Sequence, residues 1–324
     1  MKRLQRALAL LLAALMLASL AACGTKPTDP DATEPTTSDE RAYKTPIAVP
    51  DGVLNLGIAK LRTDRSYAFD VKTCATAEEA AEQLRSGAAS IAVLSPALAL
   101  QLFEETDGAV QMLAVTTLSV FYAVENGGTV QTADDLKGKT VYATGEKTDD
   151  DKLLRALLQM QGVDPENDLT IEYLDSQDAL TEAALAGEAG IWLMSEPYAS
   201  RACVESDKLH IALDLNAVPE EAPAPAQGCL AVRKDYIQAH PAELEEFLTY
   251  YEVSVNFVQY NLQSAAAVFA ANGYFSSPES ALAALPRMNI VFQTGAEMRA
   301  TADATFGILR GAEKLPPDTF YYGI

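Results

Sequence analysis

The chain is 324 residues long, 49% of them hydrophobic, and sets 24 lysines and arginines against 45 aspartates and glutamates for a formal charge of −21. A surface of that sign repels a phosphate backbone, and no basic stripe interleaved with aromatics occurs, so nucleic acid is excluded as a partner. With 2 histidines, His210 and His240, and no metal-ligand spacing among the cysteines, no metal, no cofactor and no histidine-based catalytic cluster is expected.

Lys2, Arg3 and Arg6 precede an apolar run from Ala7 to Leu17 that gives way to small residues. This is the layout of a secretory signal over residues 1–22, too short to span a bilayer comfortably. The run ends Leu20, Ala21, Ala22, Cys23, Gly24, which resembles the lipobox of bacterial lipoproteins. That resemblance implies cleavage before Cys23, a diacylglyceryl group on the Cys23 sulfur with chains such as palmitate, and retention on the extracytoplasmic face of the cell membrane by buried CH2 groups. An ordinary signal peptide with an unrelated cysteine is the alternative. Residues 23–44 are dense in Thr, Pro and Asp without apolar periodicity, the composition of a disordered tether.

Roughly 280 residues remain, enough for one large domain or two lobes. TPIAV (45–49) and YAFDVKT (67–73) read as strands around a helix at about 53–64. TAEEAAEQLRSGAASIAVLSPALALQLF (76–103) and SQDALTEAALAGEAGIWLMSEPYASRAC (176–203) then carry one plan in one register. Thr76 and Ser176 suit helix N-caps, Gly87 and Gly187 suit helix ends, apolar strands surround Ile91 and Ile191, and Ser95 and Ser195 close those strands. KTVYAT (139–144) and LTIEYL (169–174) add two strands, and PAELEEFLTYYEVSVNFVQYN is one long amphipathic helix that should wrap the first lobe. Buried strands alternating with amphipathic helices predict an α/β fold of two lobes with mainly parallel sheets. The segment 110–124 leads out of the first lobe and 229–233 leads back, a two-strand hinge. Lobe 1 is then 45–124 with 231–324, and lobe 2 is 125–230. Trp192 falls mid-strand and reads as core, as do His210 and His240 as structural residues. Cys74, Cys203 and Cys229 read as buried thiols, with a Cys203–Cys229 bridge as the alternative.

In ATGEKTDDDKLLRALLQMQG (143–162), a strand end and a turn lead into a helix whose buried stripe is Leu153, Leu154, Leu157 and Leu158 and which Gly162 ends. A helix N-terminus is a ready anion site. Here it carries Asp149, Asp150 and Asp151, which suit capping, with Thr148 or Asp149 as the N-cap. Carboxylates that consume the free N–H groups leave no positive pole for an oxyanion, and Glu146 and Glu196 are expected nearby, with Lys147 the adjacent cation.

Ligands of open parallel sheets bind beyond the carboxyl ends of the strands. That rule assigns the cleft to Asp51, Val53 and Asn55 after the first strand, Ser95, Thr144 with Gly145, Thr148 with Asp149, and Ser195 with Glu196. Tyr198 would offer an aromatic face, or else be an ordinary buried ring. Thr117 and Ser119 would offer hydroxyls beside the hinge, or else satisfy the crossing backbone.

LKGKTVYATG, LLRALLQMQGVDPENDLTIEYL, ALAGEAGIWLMSEPYASRA, PRMNIVFQTGAEM and the terminal LPPDTFYYG together resemble the lipid-anchored substrate-binding proteins of ABC importers, in the group of sulfonate, nitrate, taurine and thiamine-precursor binders. The resemblance covers about residues 45–324. It implies the type 2 periplasmic-binding-protein fold, a monomer that closes on a small solute, and a membrane permease with its cytoplasmic ATPase as partners. Two cleft loops depart from that group: PDGVLN stands where KGPTG is usual, and EKTDDD where GATPE is usual. The charge pattern favours a neutral or cationic solute, such as a nitrogen heterocycle or an amine, over an oxyanion. A sulfonate or nitrate-type binder, a ligand-sensing receptor and an enzyme built on this fold are the alternatives.

Overall fold

The computed structural model describes residues 43–219 and 222–324. The signal segment, Cys23 and the tether up to residue 42 lie outside the described residues.

The first lobe begins with strand β1 (Thr45–Pro50), a 3-10 turn over Val53–Ile58, helix α1 (Ala59–Asp64), β2 (Phe69–Cys74), α2 (Ala77–Ser86), β3 (Ile91–Leu94), α3 (Pro96–Glu105) and β4 (Val110–Leu118). The second lobe holds β5 (Phe121–Asn126), β6 (Thr140–Thr144), α4 (Asp149–Met160), β7 (Thr170–Leu174), α5 (Gln177–Leu185), β8 (Gly190–Ser195), α6 (Tyr198–Glu205) and β9 (Leu209–Asp214). The chain then returns through β10 (Ala226–Arg233) to α7 (Lys234–Ala239), α8 (Pro241–Tyr260), α9 (Leu262–Ala271), α10 (Pro278–Ala284), a 3-10 turn over Leu285–Arg287, β11 (Ile290–Gln293) and α11 (Gly295–Arg310).

Two sheets result, ordered β11-β4-β10-β3-β1-β2 and β7-β6-β8-β5-β9. β1, β2 and β3 run parallel, as do β6, β7 and β8. The strands that follow a crossing run against their neighbours: β5 is antiparallel to β8 and β9, and β10 to β3 and β4. A chain that re-enters a sheet from the hinge end has to run back along it. The two-strand hinge is therefore present, but its crossings lie elsewhere than expected. Phe121 pairs with Ser195 in the second sheet and Cys229 with Leu94 in the first, so 121–124 belong to the second lobe and 226–230 to the first. Ladder partners decide this, and apolar continuity through 110–124 conceals it. The helix expected at 53–64 is α-helical only in its second half.

Alternation along the strands builds the cores. Ile47, Val49, Ile91, Val93 and Leu230 face one layer, where Phe247, Tyr251 and Val255 of α8 cover them. Ala48, Ala92, Leu94 and Ala231 face the other, against Leu84 of α2, Leu100 of α3 and Phe306 of α11. In the second lobe, Ala123, Val141 and Leu193 meet the α4 stripe Leu153, Leu154, Leu157 and Leu158, while Tyr122, Val124, Trp192 and Met194 meet α5 and α6. Each buried leucine of that stripe stabilises the lobe by about 1.5–3 kcal/mol. The repeated plan of the sequence is realised: Thr76 Oγ1 accepts from the Glu79 N–H at 3.1 Å and Ser176 Oγ from the Ala179 N–H at 3.1 Å. Cys74, Cys203 and Cys229 are all free thiols, so no bridge joins Cys203 to Cys229. Gly228 sits in a tight spot where β10 leaves the hinge, since a Cβ there would lie 3.0 Å from Thr116 Oγ1 and 3.1 Å from Thr117 Oγ1.

Candidate functional site

A cavity of about 800 Å³ opens between the lobes. Asp51, Gly52 and Leu54, at the carboxyl end of β1, form its first-lobe floor, and Pro197, Tyr198 and Arg201, at the start of α6, form its second-lobe wall. The turn between α9 and α10 supplies the third side with Tyr274, Phe275, Ser276 and Ser280. The lining is thus three aromatic rings, a few hydroxyls, one carboxylate and one guanidinium. Such a mixture of apolar walls and sparse polar groups is what organic solutes select.

The charges in the cavity differ in availability. Asp51 is exposed, and among the described residues its Oδ1 accepts the neighbouring Gly52 N–H at 3.0 Å. Arg201 is engaged: Nη2 pairs with Asp178 Oδ1 at 2.9 Å, and the guanidinium lies 5.3 Å from the Tyr198 ring centroid. Its buried Nε makes no hydrogen bond but lies 3.8 Å from Glu205 Oε1.

Glu196 lies directly before this wall and is 2% exposed. Oε1 accepts the Ser200 hydroxyl at 2.7 Å, Oε2 accepts the Ser200 N–H at 3.1 Å, and its own N–H donates to the Val120 carbonyl at 2.9 Å. Pro197 caps α6 without a side-chain bond, so the buried carboxylate does the capping from one residue earlier. Burial pushes its pKa up from 4.5 to about 7, against the opposing pull of the Ser200 bonds and the Arg287 charge. Both oxygens are thus occupied by Ser200.

Each aspartate of the α4 run has its own engagement. Thr148 is the N-cap, its Oγ1 accepting from the Asp151 N–H at 3.4 Å and donating to the Gly145 carbonyl at 2.6 Å. Gly145 holds φ +75°, and a Cβ there would meet that same Oγ1 at 2.8 Å. Asp149 pairs with Lys152 at 2.8 Å. Asp151 is buried and accepts from the Lys147 N–H at 3.0 Å, Arg155 Nε at 3.1 Å and the Tyr173 hydroxyl at 2.6 Å. Asp150 accepts from Gln227 Nε2 at 3.1 Å. The three carboxylates thus engage side chains and the Lys147 N–H rather than the first N–H groups of α4 that the sequence pattern assigns to them.

Of the residues expected from sequence, Asp51 and Tyr198 meet in the cavity lining. Val53 and Asn55 lie in the adjoining 3-10 turn, and their side chains are outside the described set. Ser95 caps α3 through the Leu98 N–H at 3.3 Å, and Thr144 accepts from Gln177 Nε2 at 2.9 Å. Ser195 ends β8 opposite Phe121. Thr117 and Ser119 are 4% and 0% exposed in the hinge, where the Ser119 carbonyl takes the Asn289 amide at 2.6 Å. None of Ser95, Thr117, Ser119, Thr144, Gly145, Thr148, Asp149, Ser195 or Glu196 lines the cavity. Sequence reasoning missed Arg201 and the whole α9–α10 turn. Its one local signal is GYFSSP (273–278), two aromatics beside glycine and a serine cap.

The profile of a known family, described as the ABC transporter, phosphonate, periplasmic substrate-binding protein, matches residues 58–276. Comparison with curated sequences finds no match. Among solved structures, an ABC transporter protein from Parabacteroides distasonis superposes with a TM-score of 0.68 at 20% identity, covering 86% of this chain and 98% of that one. The periplasmic aliphatic sulphonate binding protein SsuA of Escherichia coli gives 0.65 at 16% identity, over 87% and 92% of the two chains. The alkanesulfonate-binding protein SsuA from Xanthomonas axonopodis pv. citri, bound to MOPS, gives 0.59 at 17% identity, over 86% and 96%. At these identities the likeness establishes the fold, that of periplasmic binding proteins. Among the described residues no helix is long and apolar enough to cross a membrane.

Proposed function

The chain belongs to the periplasmic substrate-binding family of phosphonate ABC transporters, and from that premise we propose that its cleft takes a small neutral or cationic organic solute, with an amine or a nitrogen heterocycle as the best-fitting class. A binding protein of this kind hands its solute to a membrane permease coupled to an ATPase. In this proposal the chain acts as a monomer, held at the extracytoplasmic face by lipid on Cys23, and its lobes close on the solute.

One observation carries the solute class: three aromatic rings and a carboxylate, Asp51, that has no ion pair among the described residues surround a cavity whose guanidinium, Arg201, is already matched by Asp178. Rings of this kind attract cations and stack on flat heterocycles. Arg201 Nε makes no hydrogen bond and meets Glu205 only at 3.8 Å, which favours a second reading in which an acidic group of the solute engages the guanidinium.

Mass spectrometry of small molecules released by denaturing the purified protein, followed by thermal shifts with each candidate, separates the two. A bound solute raises the melting temperature by mass action. An amine or heterocycle that raises it, with the gain lost in Asp51→Asn, supports the proposal. A sulfonate, phosphonate or nitrate that raises it, with the gain lost in Arg201→Gln, replaces it with the second reading.

A further inference from the structure

We propose that Gln227 is a positioning residue for lobe closure, clamping the start of α4 to the axis of the hinge through both ends of one side-chain amide. Gln227 is the second residue of β10, just beyond the returning crossing. Its Oε1 accepts the Val120 N–H at 3.0 Å, and Val120 lies in the outgoing crossing between β4 and β5. Its Nε2 donates to Asp150 Oδ1 at 3.1 Å, in the first turn of α4. One side chain therefore joins both crossings to the second lobe.

The two bonds respond differently to a change of lobe angle. Val120 and Gln227 both belong to the crossing segments, so rotation about them leaves their bond in place. Val120 also falls between the two ladders, and a buried backbone donor there needs a side-chain acceptor. Asp150 moves with α4 as part of the second lobe, whose core the α4 leucines join. Opening separates it from Gln227. The clamp is thus fixed at the hinge end and releasable at the lobe end.

Other ties between the lobes lie to either side of this axis. The Tyr122 hydroxyl donates to the Arg287 carbonyl at 3.0 Å, α10 packs on α6 beside the cavity, and Ile308 and Leu309 of α11 reach the second-lobe core next to α4. These contacts join the lobes without a residue of either crossing. The Gln227 bond to Asp150 instead makes a charge-assisted contact at the pivot, where small rotations already break hydrogen-bond geometry. Asp150 stays accessible to water yet sits in a crevice deep enough to raise its pKa by burial, opposed by the Gln227 bond itself. The middle aspartate of the run therefore has a task that neither capping nor ligand contact requires.

The inference does not depend on which solute the cavity holds, and it is tested without one. Dyes attached through unnatural amino acids at exposed Glu78 in the first lobe and Lys208 in the second report the interlobe distance in the full chain by single-molecule energy transfer. Asp150→Ala and Gln227→Ala should each move the ligand-free population toward separated lobes by about tenfold, the scale of a hydrogen bond to a charged acceptor. Together they should do no more than either alone, because both remove the same contact. Asp150→Asn keeps a carbonyl acceptor but loses the charge, and should fall between the parent and Asp150→Ala. If Gln227→Ala fails to fold for want of the Val120 acceptor, Asp150→Ala still decides, since it leaves that bond untouched. An unchanged distance distribution in Asp150→Ala, or full additivity in the double variant, overturns the proposal.

Discussion

Glu196→Gln should remove a pH dependence from the stability of the second lobe. In the folded chain the carboxyl titrates at about 7 instead of 4.5, because it is buried. Between those two values the unfolded chain has lost the proton that the folded chain still holds, so unfolding releases a proton and stability falls as pH rises. The contribution is complete below pH 4.5 and is lost as pH passes through about 7. At about 1.36 kcal/mol per unit, the loss amounts to about 3 kcal/mol. Glutamine stays neutral throughout and keeps a carbonyl for Ser200, so the variant should match the parent under acid conditions and exceed it by about 3 kcal/mol at high pH. Urea unfolding of both proteins from about pH 4 to about pH 8 measures the difference. Parallel curves, with a gap that does not change with pH, would refute the reasoning, since they would mean that the carboxyl reaches water or a counter-charge in the folded state.

The three aspartates that open α4 should separate by role. Asp151→Ala removes the acceptor of Arg155 Nε, the Tyr173 hydroxyl and the Lys147 N–H, while Glu166 still holds Arg155 Nη1, and should cost about 2 kcal/mol in denaturant unfolding, whereas Asp149→Ala removes a surface pair and should stay within about 0.5 kcal/mol. Tyr198→Ala should weaken binding of the solute identified by mass spectrometry about tenfold in calorimetry, and Tyr198→Phe should retain it, if the ring face makes the contact. Reductant should leave the melting temperature unchanged and thiol counting of the denatured protein should find Cys74, Cys203 and Cys229 all reactive. In the native state Cys203, pushed up to about 11 by burial, should alkylate slowly, and fully buried Cys229 more slowly still.

Much of the scaffold was legible because its signals are local. Thr76, Ser176 and Thr148 are caps that act within three residues, and the α4 leucine stripe needs only helical spacing to show its buried face. The strand–serine–helix echo likewise predicted two equivalent halves. The lobe boundaries were misjudged where locality fails: 121–124 continue the apolar run before them, 226–230 carry no local mark of either lobe, and only ladder partners assign them to a sheet.

The cleft divides along the same line. By itself the sequence determined that β1 and β8 end in residues able to face a ligand, and it marked the acidic start of α4. Only the tertiary structure decided that Asp51 and Tyr198 share a cavity with Arg201, Tyr274 and Phe275, while Glu196 turns inward to Ser200 and Asp150 turns to Gln227. Caps and periodic faces are set by neighbours a turn away along the chain. A carboxylate at the end of a strand acquires its role from whichever partner the folded chain brings within hydrogen-bond reach, and for Asp150 that partner is 77 residues distant.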